Sequence, residues 1–155
     1  MPIVLTEFGS DALHASTLQE SENEQAYYLL GNWKEIYENA ARMGKANNSL
    51  GGFTFQFSDG WWKHGQSTNL DIHDKNASWQ NGGYEFDYDK DINNMNEEWF
   101  GICAKNNPDS VGLYTLRPRV AYHLLKKIHS FDLYDPNMTL QKVRDLFQGV
   151  ESDDF

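Results

Sequence analysis

The hydrophobic and polar positions near the start of the chain predict a strand followed by a helix. Residues 3–6 (IVLT) form a short apolar run, which is typical of a fully buried strand in a parallel sheet. Over residues 26–41 apolar side chains recur every three or four positions, and this spacing predicts an amphipathic helix. Ser21 and Glu24 have the spacing of a capping box before that helix, and Gly44 is its expected stop.

A second strand is predicted directly after the helix. Phenylalanine alternates with polar residues over residues 53–57, which is the period of a strand. A long helix between two strands is the usual crossover between parallel, adjacent strands. The chain is therefore expected to open with a βαβ unit.

The rest of the chain divides into a long irregular segment and two helices. Residues 60–116 hold no clear period, yet they are rich in aromatic residues, which favours a functional loop over disorder. Pro118 suits the first turn of a helix whose apolar stripe continues to Ile128. A last short helix is predicted near residues 139–148, with Thr139 as its cap.

Composition limits the classes of partner. The chain has 155 residues, of which 39% are hydrophobic and 14% aromatic, enough for one domain with a core. Its net charge of −10 disfavours a nucleic acid or an anionic membrane surface as partner, whereas a neutral sugar is compatible with it. The single cysteine, Cys103, allows no internal disulfide.

Candidate chemistry lies where the two predicted strands end. Glu7 follows the first strand, and Asp59 with Trp61 and Trp62 follows the second. The carboxyl ends of adjacent parallel strands meet at one rim, which is where ligands bind in such sheets. A carboxylate beside aromatic rings suits a sugar site, although Glu7 could equally be a capping or ion-paired acid on a rim loop.

Four segments together resemble the end of a (β/α)8 barrel of the large retaining glycoside hydrolase clan A, and most nearly its family 2-like members. They are PIVLTEFGS, GGFTFQFSDGWWK, NEEWFGI and RPRVAYHLLKKI, which cover roughly residues 1–130. The resemblance implies an α/β fold, a partial (β/α)8 TIM barrel made of the last two parallel strands, flanking helices and a long irregular loop. The chain would be a single carboxyl-terminal fragment of a catalytic domain, with its barrel part at about 1–130 and a helical tail at about 131–155.

The resemblance also implies a function and a nucleophile. A retaining hydrolase acting on the O-glycosyl bonds of a neutral oligo- or polysaccharide would use Glu7 as its nucleophile. Its acid/base would be an Asn-Glu pair after barrel strand four, which this chain does not contain. Asn23-Glu24 and Asn96-Glu97 imitate that dipeptide, but the first lies in a helix cap and the second in the wrong part of the barrel.

The remaining site residues are expected to contact substrate, with no cofactor and no metal. They are Asp59, Trp61, Trp62, His64, Trp79 and Tyr84. Residues 87–98 carry acids at the spacing of a calcium loop, but Ile92 stands where such a loop needs glycine, so a turn-rich hydrogen-bonded loop is favoured.

Two rival functions stay open at this point. The chain could belong to a barrel relative or fragment that binds carbohydrate without hydrolysis, or to a different parallel α/β enzyme in which Glu7 is a general base. The expected partners are a carbohydrate and the missing amino-terminal part of the barrel, with neither nucleic acid nor membrane. No signal peptide is visible and the compartment stays open; secretion or a periplasmic location would suit a polysaccharide-degrading enzyme of which this chain is part.

Overall fold

The protein is a mixed α/β structure of three two-stranded sheets and three helices, within the residues that the structure describes. The computed structural model describes residues 1–14, 17–60, 96–133 and 135–154. In chain order the elements are β1 (Ile3–Phe8), β2 (Leu13–His14), β3 (Gln19–Glu20), α1 (Glu22–Glu38), β4 (Ser49–Thr54), a 3₁₀ turn (Glu97–Trp99), β5 (Cys103–Pro108), β6 (Tyr114–Pro118), α2 (Val120–Ile128) and α3 (Leu140–Asp154).

The first strand, the first helix and β4 form the expected βαβ unit. β1 and β4 pair in parallel, with Leu5 beside Gly52 and Phe8 beside Thr54. Both strands differ slightly from the predicted bounds, since β1 continues to Phe8 and β4 ends at Thr54. The predicted parallel pairing is confirmed.

The first helix packs against one face of this pair. Its apolar stripe is buried as the three- and four-residue spacing predicts, from Ala26 to Ile36. The Trp33 indole Nε1 donates a hydrogen bond to Thr54 Oγ1 at 2.9 Å, and the Phe8 ring packs edge-on against Trp33. The helix starts after Ser21 as predicted, but the Ser21 side chain makes no capping hydrogen bond, and the helix ends before the expected stop.

The strand expected to be fully buried is instead partly exposed. Ile3, Val4 and Leu5 are 38–46% exposed and Phe53 of β4 is 66% exposed. The reason is that, within the described residues, β1 pairs only with β4 and α1 covers one face of the pair. An apolar run shows that a strand suits a buried place, but its burial depends on neighbours outside the run.

The segment after residue 95 is more regular than its sequence suggested. β5 and β6 form an antiparallel hairpin, in which Cys103 lies beside Pro118. At its turn the Asp109 carboxylate accepts hydrogen bonds from the amides of Val111 and Leu113, each at 2.9 Å. The expectation of an irregular connection up to residue 116 is therefore wrong for residues 96–116.

The last two helices complete a core with α1. Ala121, Leu124, Leu125 and Ile128 are buried on α2, as the sequence predicts. Pro118 ends β6 rather than lying in the first turn of the helix. The buried side chains of the three helices form one cluster; those of α3 are Val143, Phe147 and Val150.

The third helix begins where it was expected to begin and extends further. Thr139 Oγ1 accepts a hydrogen bond from the Lys142 amide at 3.2 Å, which is the geometry of an N-terminal cap. The helix continues past the predicted end at residue 148 to Asp154. Among the described helices, none is long and apolar enough to cross a membrane.

Candidate active site

Glu7 is the last residue but one of β1, at the carboxyl end of the strand. Its neighbour Phe8 packs against Trp33 of α1, and the pairing of β1 with β4 is irregular between Leu5 and Phe8. Glu7 is exposed, and its carboxylate makes no hydrogen bond or ion pair with the described residues. The side chain is therefore open to a ligand at the end of the strand.

The backbone after Glu7 is held directly against the chain that follows β4. The Phe55 amide donates a hydrogen bond to the Phe8 carbonyl at 2.7 Å. A Cβ atom at Gly9 would collide with the Phe55 carbonyl oxygen, so this position requires glycine. The glycine in the Thr-Glu-Phe-Gly motif thus permits the two strand ends to approach closely.

Asp59, expected to contact substrate, is instead buried in an ion pair. Its Oδ1 and Oδ2 lie 2.5 and 2.8 Å from Nη1 and Nη2 of Arg119, the parallel fork that arginine makes with a carboxylate. The amides of Gly101 and Lys105 donate to the same carboxylate, at 3.1 and 3.2 Å. Asp59 faces the protein interior, and direct contact with sugar stays a prediction that this geometry does not favour.

The other predicted substrate contacts lie outside the described residues. They are Trp61, Trp62, His64, Trp79 and Tyr84. Most of the candidate calcium loop at residues 87–98 also lies outside them. The described residues hold no group of three or more histidine, cysteine, aspartate or glutamate side chains that could bind a metal ion.

Gln25 is a buried polar residue that sequence reasoning placed only within the apolar helix. Its side chain has no exposed surface. The amide Nε2 lies within hydrogen-bonding distance of three backbone carbonyls, those of Ser10 at 3.1 Å, Trp99 at 3.3 Å and Gly101 at 3.0 Å. Gln25 therefore connects the loop after β1 with the segment that precedes β5.

Arg119 connects the loop after β4 with the segment that precedes β5, as Gln25 does for the loop after β1. Beyond its pairing with Asp59, its Nη1 donates to the Gly101 carbonyl at 2.6 Å and its Nε donates to Glu20 at 2.8 Å. Arg119 stands within the quoted segment RPRVAYHLLKKI, but its partner Asp59 lies 60 residues earlier. No local spacing links two such positions, so sequence reasoning gave Arg119 no role.

Asp11 fastens the loop after β1 at a further point. Its carboxylate accepts the Asn96 amide at 3.0 and 3.1 Å, and the Ala12 amide donates to the Trp99 carbonyl at 2.9 Å. Burial raises the pKa of Asp11 well above the usual range of an aspartate, and the hydrogen bond from Asn96 offsets part of this. The loop that follows Glu7 is thus tied down within a few residues.

The two Asn-Glu pairs of the chain have local partners. Glu24 lies in the first turn of α1, and its carboxylate is 3.5 Å from the His14 ring. The Asn96 side chain accepts a hydrogen bond from the Glu98 amide at 3.3 Å and caps the 3₁₀ turn. Both asparagines thus belong to element starts, where capping residues are common.

Comparison with known proteins gives no match. No protein-family model matches the chain, and neither does any curated protein or solved structure.

Proposed function

We propose that the chain is the carboxyl-terminal part of a retaining glycoside hydrolase barrel and that Glu7 is its nucleophile. The observation that carries the proposal is the position of Glu7, which is exposed and lies at the carboxyl end of a parallel strand. In a (β/α)8 barrel the helices lie outside, and catalytic residues come from the carboxyl ends of the strands. Glu7 has the placement that this architecture requires.

The open state of the β1–β4 pair supports a larger sheet. Parallel sheets in proteins are normally covered on both faces, and their strands are apolar for that reason. Here apolar side chains on both strands stay exposed, including Leu5 and Phe53. Further parallel strands on both edges would cover them, as the closure of an eight-stranded barrel does.

The proposed reaction uses two carboxyl groups. The Glu7 carboxylate attacks the anomeric carbon and displaces the leaving-group oxygen, which takes a proton from a second carboxyl group. In retaining enzymes the two carboxyl groups lie about 5–5.5 Å apart. The same second carboxylate then removes a proton from water, which hydrolyses the glycosyl ester and frees Glu7. We assign the second carboxylate to barrel strand four, upstream of this chain. The tryptophans after β4 would stack on the apolar faces of the sugar rings.

The experiment is to label the nucleophile in the complete barrel. A 2-deoxy-2-fluoroglycoside with a good leaving group should inactivate the enzyme and add its mass to the peptide that contains Glu7. Glu7→Gln should remove nearly all turnover and all labelling while sugar binding persists, because an amide cannot form the glycosyl ester.

Matched controls come from the two acids that imitate the acid/base dipeptide. Glu24→Gln and Glu97→Gln should keep turnover within a few-fold of the wild-type barrel. Label on any other carboxylate would refute the assignment of Glu7. A barrel that binds oligosaccharides but is neither inactivated nor able to turn over aryl glycosides would identify the carbohydrate-binding alternative instead.

A further inference from the structure

A continuous set of buried hydrogen bonds connects the loop after β1 with the loop after β4. Gln25 Nε2 donates to the carbonyls of Ser10 and Gly101, and Arg119 Nη1 donates to the same Gly101 carbonyl and to Asp59. These five residues form what we call the buried bridge. It starts three residues after Glu7 and ends five residues after the last residue of β4.

The bridge is costly to build if stability alone is its purpose. Gln25 and Arg119 have no exposed surface, and Asp59 is 2% exposed. A fully buried ion pair gains little net stability, because removing both charges from water offsets most of their attraction. Such groups can instead select one geometry among several of similar energy.

Backbone crowding fixes the same geometry at the centre of the bridge. A Cβ atom at Gly101 would collide with the backbone of Ser58 and Asp59, so the segment before β5 lies directly on the loop after β4. The carbonyl of Gly101 can therefore serve Gln25 and Arg119 together. The side chains of Gln25 and Arg119 thus join one backbone segment to another.

We propose that Gln25 and Arg119 are positioning residues, which hold the carboxyl ends of β1 and β4 at the spacing that aims the Glu7 carboxylate at the anomeric carbon. The inference rests on the proposed function, since it assigns a role toward Glu7 as nucleophile. Neither residue touches substrate; each acts through the loop that follows a strand. Misplacement of a reacting group by about 1 Å can reduce a rate by about 10²-fold.

The test uses the complete barrel with Arg119→Lys and Gln25→Leu. Lysine keeps the charge of Arg119 but loses the planar fork, and leucine keeps approximate volume at Gln25 but donates no hydrogen bond. Active sites are counted by fluoroglycoside labelling, so that unfolded molecules do not enter the result. We expect kcat per labelled site to fall by about 10²-fold with KM within a few-fold.

Arg117→Lys is the matched control for the arginine. Arg117 lies two residues before Arg119 and forms exposed ion pairs with Glu20 and Glu22, outside the buried bridge. This variant should keep the wild-type kcat per labelled site. Wild-type kcat in both Arg119→Lys and Gln25→Leu, or an equal loss in Arg117→Lys, would overturn the inference.

A second measurement does not depend on catalysis. Hydrogen exchange at the Ala12 amide reports the loop after β1, to which Arg119 makes no hydrogen bond. We expect Arg119→Lys to accelerate this exchange by at least about tenfold relative to Arg117→Lys, because a break at one end of the bridge loosens the other. A wild-type barrel with neither turnover nor labelling would refute the proposed function, and unchanged exchange would separately refute the bridge.

Discussion

Apolar side chains are buried in the layer of three helices but partly exposed on the β1–β4 pair. Leu29 of α1 and Ile128 of α2 have no exposed surface, whereas Ile3 and Leu5 of β1 are 46% and 38% exposed. The helices cover one another within this chain, so their apolar stripes meet. Among the residues that the structure describes, the two strands pair only with each other and have α1 on one face, and several of their apolar side chains are exposed.

The difference distinguishes a closed helical core from a sheet whose apolar side chains are partly exposed. The helical layer, including the Phe147 ring packed between Tyr37 and Phe131, is a finished core. The apolar run of β1 is typical of a buried parallel strand, but within the described part of the chain it pairs only with β4. The difference in burial between the two regions can be tested by adding the proposed neighbouring strands or by removing one side chain from each region.

The largest expected effect is on catalysis by the isolated chain. Under the proposed function, residues 1–155 alone should hydrolyse aryl glycosides at least about 10²-fold more slowly than the complete barrel. General acid–base catalysis contributes about 10²–10⁴-fold, and the proposal assigns the second carboxylate to a strand upstream of these residues. Mixing the chain with the upstream strands should restore turnover. The measurement is steady-state release of the aryl group.

One outcome would contradict this prediction. Turnover by the monomeric chain that disappears in Glu7→Gln would mean that an acid within the chain supplies the second carboxylate. Glu97 would be the first candidate, because Asp59 and Glu98 are buried.

The next effect compares the same substitution in the two regions. Phe147 has no exposed surface and Phe53 is 66% exposed. Phe147→Ala should lower the free energy of unfolding of the isolated chain by about 3–5 kcal/mol, the usual cost of emptying a buried phenylalanine site. Phe53→Ala should change it by less than about 0.5 kcal/mol, as surface substitutions do.

The complete barrel sharpens this comparison. There Phe53→Ala should cost several times more than in the isolated chain, because neighbouring strands would bury the ring. Denaturant titration of both variants in both proteins provides the four values. A cost at Phe53 that is equally small in the two proteins would contradict the barrel proposal.

Sequence reasoning reached the parts of the molecule that depend on local spacing. The stripes of α1, α2 and α3 repeat every three or four residues, so each helix carries its own signal, and Thr139 was recognised as a cap. β5 was missed because its residues, such as Asn106, Asn107 and Pro108, are poor strand formers whose pairing depends on β6.

The only part of the candidate site that the sequence predicted was a residue placed directly after a strand. Glu7 could be singled out because an acid directly after an apolar run is visible in the sequence. The exposure of β1 was not predictable, since it depends on which strands are present beside it. The burial of Asp59 was hidden for a related reason, because its partner Arg119 becomes a neighbour only when the chain folds.

A smaller effect concerns association of the isolated chain. Exposed apolar strands with open edges recruit other chains, so we expect concentration-dependent oligomers in sedimentation. Ile3→Ser with Phe53→Ser should shift the chain toward monomer. The control Val111→Ser removes an apolar side chain from the β5–β6 turn that is more exposed than Ile3 or Phe53, and it should leave association unchanged. An equal shift there would point to general surface hydrophobicity rather than to the sheet.

The smallest effect is a pH dependence that belongs to the helical layer. Burial lowers the pKa of His129, whose Nδ1 lies 2.8 Å from the Tyr37 hydroxyl and whose ring packs edge-on against Trp33. The native state therefore binds this proton less readily than the unfolded chain does. Its stabilising effect is fully present above the unfolded pKa, about 6.5, and is lost as the pH falls from that value through the lower pKa of the native state.

The measurement is the free energy of unfolding between pH 8 and pH 5 in wild type, His129→Gln and His123→Gln. His123 lies on α2, whose C-cap is His129, and serves as the matched control. As the pH is lowered from 8 to 5, the free energy of unfolding should decrease in the wild type and in His123→Gln. The decrease should be smaller in His129→Gln. If the free energy of unfolding depends on pH in the same way in all three proteins, Trp33 and Tyr37 tolerate a charged His129 ring. Water would then reach this part of the helical layer more readily than its burial suggests.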